Sequence, residues 1–130
     1  MKKLKENQEL DKNVIAQVEK FKTAFPPESG GGEAEIYVTL SGLVATGFDD
    51  SGEPTGGRWV EDGVTGYMSI QQDVIADDGT WCWDISVHAE DSNLGDSYGQ
   101  KGFKTYDEAV DAFANYMNTE YPDFVIEQIL

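Results

Sequence analysis

The sequence predicts an α+β domain: an antiparallel sheet of four to five strands in meander order, with an N-terminal and a C-terminal helix packed on it. Three patterns carry that expectation. Trp81, Trp83, Ile85, Val87 and Ala89 share one parity while Cys82, Asp84, Ser86 and His88 share the other, which is the period of a half-buried strand. Val14, Ile15, Val18, Phe21 and Phe25 recur at the spacing of one helix face, as an amphipathic helix requires. Thr105-Tyr-Asp-Glu108 is a capping box: the Thr hydroxyl accepts from the Glu108 amide, and Glu108 reaches back to the Thr105 amide.

Taken in order, residues from about 5 to 24 read as the first helix, with Lys12, Lys20 and Lys22 turned away from its apolar stripe. Pro26-Pro27 stops it, because proline lacks an amide hydrogen and restricts the residue before it. Glu28-Ser-Gly-Gly-Gly reads as a flexible joint. The organisation is therefore an N-terminal helix over 1–25, a joint over 26–33 and a body over 34–130, with the sheet in 34–91 and a helix in 105–119. The first helix either packs on the sheet of its own molecule or serves as a detachable arm. Glu35–Phe48 is a strand in which Ile36, Val38 and Leu40 alternate with Tyr37 and Thr39, and Gly42 reads as a bulge. The run from Asp49 to Gly57 has the composition of a loop. Arg58-Trp59-Val60 opens a third strand, and Asp62-Gly63 reads as a further turn.

The central hairpin spans Tyr67–Glu90. Its first run places Met68, Ile70 and Val74 inward, and Asp78-Gly79 supplies residues that tolerate positive φ in a tight turn. Asp91 to Gly102 reads as a polar loop. In the helix that follows, Tyr106, Ala109, Val110, Phe113 and Met117 form the buried stripe, with Asp107, Asp111 and Asn115 facing water. It ends near Thr119, Pro122 guards the exit, and residues 121–130 read as an edge strand in preference to a short helix.

Charge narrows the function classes. The chain of 130 residues carries 25 acids against nine Lys and Arg, a net charge of −16. Residues 1–22 hold six lysines against four acids, a net of +2, so residues 23–130 hold −18 with Arg58, Lys101 and Lys104 as their bases. Such a body repels nucleic acid and anionic membranes. It attracts cations, basic peptides or the basic grooves of nucleic-acid-binding proteins; the plainer reading is that acidity keeps the chain in solution. No apolar run approaches the ~20 residues that cross a bilayer. The N-terminal lysines lack the apolar run of a signal peptide. The single cysteine, Cys82, excludes an internal disulfide and fits a reducing compartment. The expected location is the cytoplasm.

Catalytic patterns are missing where chemistry would need them. Cys82 and His88 lie six residues apart on one strand, about 20 Å, too far for a dyad. No nucleophile elbow, phosphate-binding loop or zinc ligand set occurs. Asp91-Ser-Asn93-Leu-Gly-Asp96 begins like a calcium loop but lacks the required order and the closing Glu. The expectation is no catalytic residue, no metal and no cofactor. Trp81 and Trp83 fall on the inward parity and read as core; Trp59, beside Gly-Gly-Arg, reads as partly exposed.

Two resemblances can be drawn. A meander followed by a helix opened by Phe-x-Thr-x-x-Glu-Ala, over residues 67–117, resembles the layout of plant AP2-type DNA-binding domains. Where that family's sheet carries arginines that grip DNA, this chain has Asp73, Asp84 and Glu90, so the resemblance implies an architecture and not the DNA binding. In size and charge the chain resembles small acidic phage-encoded anti-defence inhibitors of the DNA-mimic and anti-CRISPR type, by general character and without a motif. That resemblance implies a non-enzymatic protein, in the host cytoplasm, that docks on a basic, nucleic-acid-binding site of a partner protein and inhibits it, in one form as a nucleic-acid mimic. The candidate contact residues are Asp49, Asp50, Trp59, Glu61, Asp62, Asp73, Asp77, Asp78, Asp84, Glu90 and Asp91. Two alternatives stay open: an accessory interaction module of a larger assembly, and a small-ligand binder or enzyme using a carboxylate beside Trp59.

Overall fold

The first helix starts where a side chain can satisfy its free amides. The Asp11 carboxylate accepts from the Asn13 amide at 2.8 Å, and α1 runs Lys12–Ala24. The computed structural model describes residues 9–89 and 94–130. Val14, Val18 and Phe21 are buried along one seam of α1. Ile15, expected in the stripe, is 46% exposed, because this seam is narrower than the sequence pattern. Polar side chains fix where the helix lies. Asn13 donates to the Pro122 and Phe124 carbonyls, Gln17 accepts from the Ile126 amide, and Lys20 donates to the Ile126 carbonyl.

Pro27–Ser29 forms a single 3₁₀ turn, after which β1 (Gly31–Phe48) begins. The glycines expected to form a flexible joint are thus part of the structure. Gly30 and Gly31 take φ of 81° and 93°, a region closed to most side chains. A Cβ on Gly31 would overlap the Ile70 carbonyl, and one on Gly32 would overlap the Phe25 ring. The sequence needs glycine here for backbone shape and close approach.

β1 pairs in antiparallel register with β2 (Pro54–Gln72) along nearly its whole length, from Gly31 opposite Gln71 to Phe48 opposite Pro54. The turn expected at Asp62-Gly63 is absent; these residues pair with Leu40 and Thr39, and long-range pairing overrides their local preference. Nor is Gly42 a bulge. Register runs through Gly42–Val60, and the irregularities lie further out, between Ala45 and Phe48. A Cβ on Gly42 would meet the Leu94 side chain, so the glycine makes room for Leu94. β3 (Trp81–His88) follows a turn in which Asp77 and Gly79 have positive φ and the Asp73 amide donates to Thr80. Val74 and Ile75 lie in this turn and are exposed, because β2 ends at Gln72 and the inward parity ends with it.

β4 (Gly95–Phe103) occupies most of the expected polar loop. Its three glycines, one serine and mixed polar residues carry no apolar alternation, and its strand conformation comes from backbone pairing to β3, with an irregularity opposite Cys82. α2 (Tyr106–Glu120) starts at Thr105, whose hydroxyl accepts from the Glu108 amide at 3.1 Å. Glu108 closes the cap one residue earlier than the capping-box pattern, on the Lys104 amide at 3.0 Å. β5 (Val125–Ile129) pairs with β1, completing a sheet in the order β4-β3-β2-β1-β5. The architecture is α+β, an antiparallel five-stranded sheet with both helices contributing to one core.

That core lies on one face of the sheet. Ala34, Ile36, Val38, Met68, Ile70, Trp83, Ile85 and Val87 are buried beneath the apolar stripes of α1 and α2. Trp83 and Phe113 meet edge-on at 5.6 Å, and Phe113 meets Phe124 at 5.9 Å. Rings of this size dominate the buried area. No helix among the described residues is long and apolar enough to cross a membrane.

Candidate partner-binding surface

The hairpin outruns the sheet. β5 covers β1 only over Ala34–Tyr37, and β3 covers β2 only over Gly66–Gln72. Beyond Leu40 and Glu61 the two strands continue as a ribbon with no further strand on either side among the described residues. From Ser41 to Phe48 this is a reach of roughly 25 Å. Three of its large apolar side chains are not covered: Leu43 is 66% exposed, Phe48 65% and Trp59 66%. Leu43 and Trp59 are direct cross-strand partners, so they share one face, and the Leu43 side chain lies over Gly57. Residues 41–62 hold Asp49, Asp50, Glu53, Glu61 and Asp62 against one base, Arg58.

Five of the predicted contact residues therefore gather on this ribbon: Asp49, Asp50, Trp59, Glu61 and Asp62. By strand alternation Glu61 shares the Trp59 face and Asp62 points to the other. Asp49 also builds the tip. Its Oδ1 accepts from the Ser51 amide at 2.9 Å, the Ser51 hydroxyl at 2.7 Å and the Glu53 amide at 3.0 Å. These bonds, the Ser51 hydroxyl first, hold its carboxyl below the ordinary value.

Asp73, Asp77 and Asp78 lie elsewhere, in the β2–β3 turn. Asp62 and Asp73 are eleven residues apart on one strand and its exit, roughly 35 Å, so the predicted acids do not form one patch. Asp73 accepts from the Ile75 and Ala76 amides, and Asp78 from the Thr80 hydroxyl and amide. The Thr80 hydroxyl is the main reason the Asp78 carboxyl is lowered. Aspartate in these turns bonds the backbone just ahead of it, a structural task that explains the residue type without a partner. Asp84 stands on the sheet face opposite the helices and accepts from the Ser69 hydroxyl at 3.0 Å. Glu90 and Asp91 fall outside the described residues.

Cys82 and His88 share that helix-free face. Burial first, then the charges of Asp73 and Asp84, push the Cys82 thiol up, the reverse of what a nucleophilic thiolate needs. Among the described residues no three His, Cys, Asp or Glu side chains converge to hold a metal ion.

One constellation is not visible in the sequence pattern. Asp96 of β4 accepts at one oxygen, Oδ2, from both the Tyr116 hydroxyl (2.6 Å) and the Tyr121 hydroxyl (2.8 Å). Burial, and then the bond to Asp96, pushes both phenols above the ordinary tyrosine value. Tyr116 in turn stacks on Tyr98, with centroids 4.9 Å apart and planes 15° apart. The buried Trp83 indole lies 5.1 Å from Tyr116, and its N–H has no hydrogen-bond partner among the described residues. Three segments meet here, β4, α2 and the residue after α2. Asp96 and Tyr98 sit in what the sequence presents as a loop, so no local signal joins them to the helix. The exposure of Leu43 and Phe48 is likewise invisible in the sequence pattern, because it depends on where β3 and β5 stop.

Compared with known family models, curated proteins and solved structures, the chain matches none.

Proposed function

We propose that this protein is a non-enzymatic acidic binding protein that docks on a basic, nucleic-acid-binding site of a partner protein and inhibits it. The observation that supports this reading is the ribbon: Leu43, Phe48 and Trp59 uncovered on two unsupported strands, among five carboxylates and one arginine. Carboxylates steer a basic partner into register and accelerate encounter, while buried aromatic anchors supply most of the affinity. A two-stranded ribbon is also narrow enough to enter a groove that otherwise receives a nucleic-acid strand. In this reading the mimicry belongs to the ribbon and not to an evenly acidic surface, since Asp73 and Asp78 lie in the β2–β3 turn and Asp84 on the sheet face, away from the ribbon.

Affinity capture from the native host's lysate tests it, with washes at ~50 and ~500 mM salt, between which the screening length falls from over 10 Å to a few ångströms. The expected result is a nucleic-acid-handling protein retained at low salt and weakened at high salt. Trp59→Ala should weaken its retention at least about 30-fold, the scale of an interface hot spot, with an unchanged thermal midpoint. A partner held equally at both salts and indifferent to Trp59→Ala would overturn the proposal in favour of an accessory module bound through another surface.

A further inference from the structure

We infer that the cleft between β4 and α2 is a guanidinium-binding site, built to receive an arginine side chain of the basic partner. The inference rests on the docking reading for the source of the arginine and on its own geometry for the chemistry. The cleft has a volume of about 370 Å³ and is lined by Tyr98, Gln100, Asn115, Tyr116 and Glu120, with Ala112 and Thr119 completing it. That volume admits a single long side chain.

Five of the lining groups suit a flat cation. The Tyr98–Tyr116 stack supplies aromatic surface, on which a guanidinium gains both cation–π attraction and planar contact. The stack is held in place before any ligand arrives, because the Tyr116 hydroxyl is bonded to Asp96 and its ring rests beside Trp83. Donating that proton to a carboxylate also leaves the Tyr116 ring more electron-rich. Glu120 is the last residue of α2, whose final turn carries no basic side chain. A carboxylate there sits at the negative end of the helix dipole, an unfavourable place that a bound cation relieves. The Gln100 and Asn115 amide oxygens are acceptors for the remaining guanidinium N–H groups. An ammonium is a compact charge that cannot lie flat on the stack, so the geometry favours arginine over lysine.

The test is a titration of the whole protein with N-acetyl-arginine methylamide, its lysine analogue and its neutral citrulline analogue, read by amide NMR shifts. The arginine compound should give saturable shifts centred on Gln100, Asn115 and Glu120, binding more tightly than the lysine compound, while the citrulline compound gives none. Glu120→Gln should weaken binding about three- to fivefold, as should Tyr98→Leu. Trp59→Ala should leave it unchanged. The inference is overturned if lysine binds as well as arginine, or if the shifts spread over the ribbon acids as much as the cleft. The partner experiment separates the two proposals. If Trp59→Ala abolishes capture and Glu120→Gln leaves it unchanged, without the three- to fivefold loss, the cleft inference falls and docking stands. If the arginine compound seats in the cleft but no partner is captured at either salt, docking falls and the guanidinium site stands.

Discussion

The inner and outer halves of one hairpin make opposite use of the same backbone pairing. Over Gly31–Tyr37 the β1–β2 pair is flanked by β3 on the β2 side and, from Ala34, by β5 on the β1 side, with both helices over its inward side chains. Between Ser41 and Glu61 the same two strands have no neighbouring strand among the described residues, with Leu43 and Trp59 in the solvent. A two-stranded hairpin alone is marginal at best, so the inner half stabilises the outer one, and Leu43, Phe48 and Trp59 are left mostly in solvent. These three side chains are thereby free for the contact proposed above.

Three changes break or sharpen that contrast. The largest belongs to the body. Phe113 is fully buried between Trp83 and Phe124, and Phe113→Ala should cost about 3–5 kcal/mol. Urea unfolding would read this as a shifted midpoint with unchanged slope. A loss under ~1 kcal/mol would mean that the aromatic cluster can collapse around the cavity. A smaller effect, still in the body, is expected at the start of α2. Thr105→Ala removes the acceptor for the Glu108 amide and should cost about 1 kcal/mol by the same measurement; no change would mean that Glu108 bonded to Lys104 caps the helix unaided.

The smallest effect is confined to the ribbon. Asp49 is fully exposed and its carboxyl is held below the ordinary 3.8 by the Ser51 hydroxyl and the Glu53 amide. A group lowered in the folded state stabilises it above the unfolded value and ceases to do so as pH falls through the folded value. Below pH 3.8, the protection of amides at residues 49–53, measured as exchange relative to the intrinsic rate at each pH, should therefore fall before protection in the inner half of the hairpin. Asp49→Asn should reduce that pH dependence. Simultaneous loss of protection in both halves would show that the ribbon and the body open as one unit.

How much of this was legible in the chain depends on the range of the forces involved. Trp81 to Val87 announce β3 by strict alternation, and the structure buries every second residue there. Thr105 and Glu108 announce α2 because a helix start is satisfied by its immediate neighbours. Val14, Val18 and Phe21 mark α1, and residues 125–129 form the edge strand that the sequence favours. The acidic balance is likewise a property of composition alone.

Tertiary structure decided the rest. Asp62-Gly63 has the residues of a turn and became mid-strand, since Thr39 and Leu40 offered it backbone partners. Gly95–Phe103 has the residues of a loop and became an edge strand on β3. Asp96, Tyr98, Tyr116 and Tyr121 met only when that edge strand was laid beside α2. Most telling is the ribbon, whose exposure follows from β3 and β5 ending where they do. Alternation and capping are written within a few residues, and a strand's neighbours are chosen by parts of the chain far away. For that reason the elements could be read locally, while the surfaces they leave open could not.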